Sequence, residues 1–184
     1  MARTTERAGH PVWLLVAAPL LALAAVVLLW TGIDVVGEIG PLDKAKLGWL
    51  VGLPLTLLVP VLAAWAGGRL GPWGRPTLAV LVGLGAGAAV GWPVWIAYAG
   101  QCAAAGLSVP VSTIATIGAL VGLTMFAAVL AAGPALDGAR SRPVTMGLAF
   151  VSAAVVFVVG FVTFALLSSS LLFGQCVVRP GITP

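Results

Sequence analysis

Five long apolar stretches fill most of this chain, and none of them carries a Lys, Arg, Asp, Glu or His in its interior. A helix needs about 20 predominantly apolar residues to cross a hydrocarbon core about 30 Å thick. Segments of that order run over about 12–30, 47–65, 77–98, 111–132 and 144–172. In lipid only helices and closed barrels satisfy every backbone group, and these runs lack the alternating pattern of barrel strands. The expected fold is therefore all-α: a polytopic membrane protein, a single integral membrane domain over 1–184, built as a bundle of five transmembrane helices.

Composition excludes the soluble alternative. Hydrophobic residues make up 61% of the chain and charged ones 8%, against roughly 45–50% and 25% in a soluble domain. Once the helices are counted, little chain is left for a catalytic domain outside the bilayer. The net charge of +4 does not point to a nucleic-acid partner, because the basic residues fall in short loops where the positive-inside bias puts them. Asn is absent and Arg outnumbers Lys, as expected from a GC-rich genome, so the expected location is a bacterial plasma membrane, multi-pass. Without Asn there is no N-glycosylation sequon.

Orientation follows from the Lys/Arg count on each side. With the N-terminus inside, Arg3, Arg7, Arg69, Arg75, Arg140 and Arg142 are cytoplasmic, and Lys44, Lys46 and Arg179 lie outside. The expected topology is N-terminus inside and C-terminus outside. The first stretch is longer than the about 7–15 apolar residues of a secretory signal, so it reads as an uncleaved anchor.

That topology places Cys102, after the third stretch, and Cys176, after the fifth, on the same outer face. A disulfide between them is the expected state outside the reducing cytoplasm. Both lie in the tripeptide Gly-Gln-Cys, at 100–102 and 174–176, and Arg75-Pro76 opens one stretch much as Arg142-Pro143 opens another. The rest of the two segments does not align, which weakens an internal repeat.

Gly83, Gly87 and Gly91 recur at four-residue steps in the third stretch, and Gly118 and Gly122 in the fourth. Such faces are nearly bare backbone and let another helix approach closely. Two readings stay open, packing within this bundle and docking to a helix of another subunit. Either way, five Gly-rich helices are expected to pack solid, without a pore. Pro54, Pro60 and Pro93 remove backbone donors and are expected to bend their helices. Trp92, Trp95, Tyr98, Trp30 and Trp49 mark one membrane boundary, and Trp65 and Trp73 the other.

Few side chains carry chemistry. Asp34 and Glu38 are four apart and, with Asp43, form a candidate outer-face polar site, although Gly37, Gly40 and Pro41 favour a short interfacial turn. His10 is the single histidine and has no Cys, Asp or Glu at ligand spacing, so neither a metal nor a haem cofactor is expected. No phosphate loop, nucleophile motif or zinc signature appears. Ser168, Ser169, Ser170, Thr113, Thr116 and Thr124 are the most polar intramembrane residues, and their hydroxyls can bond back to their own helices.

The function expected from these features is that of a small, non-catalytic accessory or assembly subunit. Its partners are the lipid bilayer and other membrane subunits or a second copy, with no nucleic acid. The alternative is a small transporter or lipid-handling protein for an uncharged or lipid-like substrate. Against transport, an intramembrane carboxylate is missing, and only the prolines hint at broken helices. An enzyme acting on lipid at the outer face would have Asp34, Glu38 and Asp43 as its acid/base groups, and these are too dispersed to assign roles.

Overall fold

Apolar runs separated by Gly, Pro and charge punctuation fold as helices that alternate in direction. The computed structural model describes residues 13–34, 48–104, 107–108, 111–138, 141–171 and 177–178. Among the described residues there are five α-helices: α1 (Trp13–Asp34), α2 (Leu53–Arg69), α3 (Gly74–Ala104), α4 (Val111–Leu136) and α5 (Arg142–Leu171). Four stretches, Leu50–Arg69, Gly74–Gly91, Val111–Leu136 and Arg142–Phe164, are long and apolar enough to cross a membrane, and Trp13–Leu29 is a shorter apolar helix of the same kind. This is the architecture of a multi-pass membrane protein.

Helices α3 and α5 begin a little earlier than their apolar runs do, and α2 begins later. Arg75-Pro76 and Arg142-Pro143 sit in the first turns of α3 and α5, where a missing proline N–H leaves no helical bond unmade. Between α2 and α3 the chain reverses through Gly71, whose φ of +99° only glycine adopts readily. Two bonds close this turn, Leu70 N–H to the Gly67 carbonyl and Gly74 N–H to the Gly71 carbonyl, each at 3.1 Å.

Pro54 lies in the first turn of α2 rather than bending its middle. Immediately before it, Gly48–Gly52 forms a turn of π-helix. A proline cannot donate to the carbonyl four residues back and its ring crowds that carbonyl, so a wider turn there relieves both problems. Thr56 then donates its hydroxyl to the Gly52 carbonyl at 2.7 Å and approaches the Ala25 carbonyl of α1 at 3.4 Å. Thr56 is buried, and its hydroxyl links α1 to α2.

Small residues dominate the core. Ala22, Ala25, Ala64, Ala79, Ala86 and Ala132 are fully buried, with Leu78, Val82, Ile117, Met125 and Val129 as the larger filling. Half of the Leu50–Arg69 stretch is buried, against 11% of Arg142–Phe164, so α2 is central and α5 peripheral. Val151, Val155, Val158 and Val162 of α5 face outward, as lipid-facing residues do when the surrounding solvent is itself apolar.

Beyond the helices, Leu107 pairs with Val178 and Ser108 with Val177 in a two-residue antiparallel ladder. It joins the connection after α3 to the segment after α5, at the end of the bundle opposite Arg69, Arg75 and Arg142.

Candidate functional site

The two glycine stripes face each other. A Cβ on Gly83 would lie 2.8 Å from the Gly122 carbonyl oxygen, and one on Gly87 2.6 Å from the Gly118 carbonyl oxygen. Both distances are shorter than real side chains tolerate, so these glycines set the separation of α3 and α4. Internal packing accounts for Gly83, Gly87, Gly118 and Gly122. Gly91 differs, since a Cβ there would make an ordinary 3.8 Å contact with Ile114. Gly85, on another face of α3, meets the Pro19 carbonyl of α1, where a Cβ would come within 2.6 Å.

Beside this contact the two helices leave an open apolar trough of about 620 Å³. Its floor is the glycine contact, and Ala88 and Ala119 are exposed within it. Leu84 and Leu123 stand outward along it. The trough is a shallow surface with a floor of glycine and alanine, bordered by Val80, Leu84, Leu123 and Phe126.

A second, partly open cavity takes lining from all five helices. Phe157, Phe161 and Phe164 of α5 form one wall, with Thr124 and Met125 of α4 and Thr56 of α2 opposite. The Thr124 side chain occupies the place where a Cβ on Gly160 would stand, and the cavity lies beside that close contact. Its volume is about 80 Å³, smaller than the about 150 Å³ that accepts a benzene. Both hydroxyls on its wall donate elsewhere, Thr124 to the Leu120 carbonyl at 2.8 Å and Thr56 to Gly52. The cavity is therefore small and apolar.

At the arginine-bearing end, Arg75 ties three helices together. Its Nε donates to the Ala64 carbonyl of α2 at 3.1 Å, and its Nη2 donates to Asp137 Oδ1, just past α4, at 2.6 Å. Nη1 donates to Oδ2, which completes a bidentate pair. Glycines make room for the side chain: a Cβ on Gly67 would lie 2.7 Å from the Arg75 Cα, and one on Gly133 3.3 Å from its Cδ. Hydrogen bonds from the guanidinium hold the Asp137 carboxyl below the usual carboxylate range. Asp137 is 61% exposed, so this pair closes the rim of the bundle and is no buried catalytic dyad.

Asp137 escaped the sequence reading, although the N-inside topology puts it in the same set of loops as Arg75. The other singled-out residues are only partly placed. Asp34 ends α1, while Glu38 and Asp43 lie outside the described residues. Cys102 falls in the last turn of α3, and Cys176 lies outside the described residues, as do His10 and the side chains of Ser168, Ser169 and Ser170. Thr116 donates to the Ser112 carbonyl of its own helix at 2.8 Å, as expected for a hydroxyl in an apolar helix. Among the described residues, no group of three or more His, Cys, Asp or Glu is placed to hold a metal ion. Comparisons with protein-family models, with curated proteins and with solved structures found no match.

Proposed function

We propose that this protein is a non-catalytic accessory or assembly subunit that packs against the helices of a larger membrane complex. The α3–α4 trough carries this reading. Its volume of about 620 Å³ and its small-residue floor suit the close approach of a further helix, the arrangement that drives helix association in lipid by van der Waals contact. The small cavity argues against a solute pathway, and the polar groups on its wall are already engaged.

The same reading includes five spans with the N-terminus inside, in a bacterial plasma membrane. The common end of Arg69, Arg75 and Arg142 supports that orientation, because the loops and helix termini there carry the excess of basic residues. It also includes a disulfide between Cys102 and Cys176. The antiparallel pairing of Ser108 with Val177, the residue after Cys176, supports it by joining the two cysteine-bearing segments.

Filling the trough tests the main reading. Ala88→Phe and Ala119→Phe add bulk at exposed positions and leave the α3–α4 contact intact. Tagged protein purified from native membranes in a mild detergent is expected to bring down a stoichiometric membrane partner, and the double variant to lose it while remaining monodisperse. Recovery of the wild-type chain alone and active in lipid transfer would replace this reading with the lipid-handling one.

A further inference from the structure

The groove between α1 and α2 is apolar along its length and carries a cation at one end. It has a volume of about 220 Å³ and runs along α1 from Trp13 to Leu21, about 12 Å at 1.5 Å per residue. Ala17 and Ala18 of α1 and Ala63 and Ala66 of α2 hollow it, and the fully buried Leu78 of α3 closes its floor. That volume spread over that length leaves room for one polymethylene chain, whereas a helix with side chains is about 10 Å across. The groove therefore fits a chain and excludes a helix.

Trp65 forms the groove wall nearest the end of α2. The Arg69 guanidinium carbon lies 3.4 Å from the centroid of its indole ring. This stacking fixes the cation beside the groove mouth and leaves its N–H donors free to turn outward. Arg75 has three of its five donors engaged by Ala64 and Asp137, and its charge is paired with the Asp137 carboxylate. Arg69 is exposed and forms no ion pair among the described residues. A planar guanidinium matches the oxygens of a phosphate in bidentate fashion.

We infer that this groove binds an anionic phospholipid, with one acyl chain between α1 and α2 and the phosphate on Arg69. The charge of the cation selects the headgroup, and the length and width of the groove select a chain. The site is independent of the α3–α4 trough and of any partner docked there.

The purified protein is incubated in a mild non-ionic detergent with equal amounts of phosphatidylglycerol and phosphatidylcholine of identical chains, and the retained lipid is measured by mass spectrometry. The wild-type protein is expected to retain phosphatidylglycerol in preference by about fivefold, the ratio one basic residue supplies at an anionic surface. Arg69→Gln is expected to bring the ratio to about one, while Arg69→Lys keeps most of the preference. Arg142→Gln, an exposed arginine at the same end of the bundle, serves as the control and is expected to leave the ratio unchanged. Ala17→Phe, which fills the groove, is expected to lower retained lipid and preference together. The inference is overturned by an unchanged ratio in Arg69→Gln, by an equal loss in Arg142→Gln, or by displacement of the lipid with equimolar glycerol 3-phosphate, which would mean that the chain contributes nothing.

Discussion

Arg75 does the work of several contacts because its surroundings are bare. Gly67, Gly68 and Gly133 leave space for its aliphatic stem and head, and its donors reach α2 and the end of α4 at once. Replacing it with Ala removes a charge-assisted bond to a carbonyl and one half of an ion pair, and is expected to destabilise the protein by about 1–3 kcal/mol. Asp137→Asn is expected to do less, under about 1 kcal/mol, because the carboxylate is exposed and screened. Thermal unfolding in detergent checks both. The depressed Asp137 pKa adds a pH signature, since this contribution is fully present above the ordinary carboxylate value of about 3.9 and is lost as pH falls through the lower folded value. The melting difference between wild type and Asp137→Asn is therefore expected to be flat from pH 8 to about 5 and to shrink below about pH 4. The arginine itself was visible in the sequence as a topology marker. Its partner was not, because a carboxylate far along the chain declares itself only when two antiparallel helix ends meet.

Among the elements, α3 is the organiser. One face meets α4 through Gly83 and Gly87 and another meets α1 through Gly85, so a single helix supports neighbours on two sides. Spacing made the glycine stripe legible, since a four-residue period on an apolar helix has few other readings. It did not reveal where the stripe ends. Gly87→Ala is expected to push α3 and α4 apart and to destabilise by about 1–3 kcal/mol, whereas Gly91→Ala, with its nearest contact at 3.8 Å, is expected to be neutral. Gly147, in α5 with open space around it, supplies the opposite sign: Gly147→Ala is expected to stabilise by about 0.5–1 kcal/mol through helix propensity alone. The same thermal series, run on all three variants, checks the ordering. Proline was legible as a disturbance, but not its form. At Pro54 the chain absorbs it in a π-helical turn at the helix start, packed closely on α1 through Gly52, where a Cβ would come within 2.5 Å of the Leu29 nitrogen.

For the whole molecule, hydropathy dictated a helical membrane protein, and Arg69, Arg75 and Arg142 lie at one end of the bundle. The functional surface was less legible, because lipid and partner helices make the same demand on a side chain: apolar, and no donor exposed. The residues of α5 that face outward, such as Val151 and Val155, satisfy either neighbour equally. What separates the two is shape, and shape came only from the packed bundle, in the trough beside Gly83 and Gly87 and in the narrower groove beside Trp65. At the opposite end the ladder of Leu107 with Val178 holds the exits of α3 and α5 together. If Cys102 and Cys176 are bonded across that end, intact mass spectrometry with a thiol-alkylating reagent is expected to find no label without reductant and two labels after reduction. Labelling of both cysteines before reduction would dismiss the bond.

The Arg75 contact also keeps time. Its carboxylate lies 62 residues further along the chain, which at about 5–20 residues per second is roughly 3–12 s of synthesis. Until residue 137 is made, the Ala64 carbonyl is the one of these two partners that the guanidinium can reach. The contact that joins the end of α4 to α2 and α3 is therefore completed late in synthesis, and a chain arrested before residue 137 is expected to lack it.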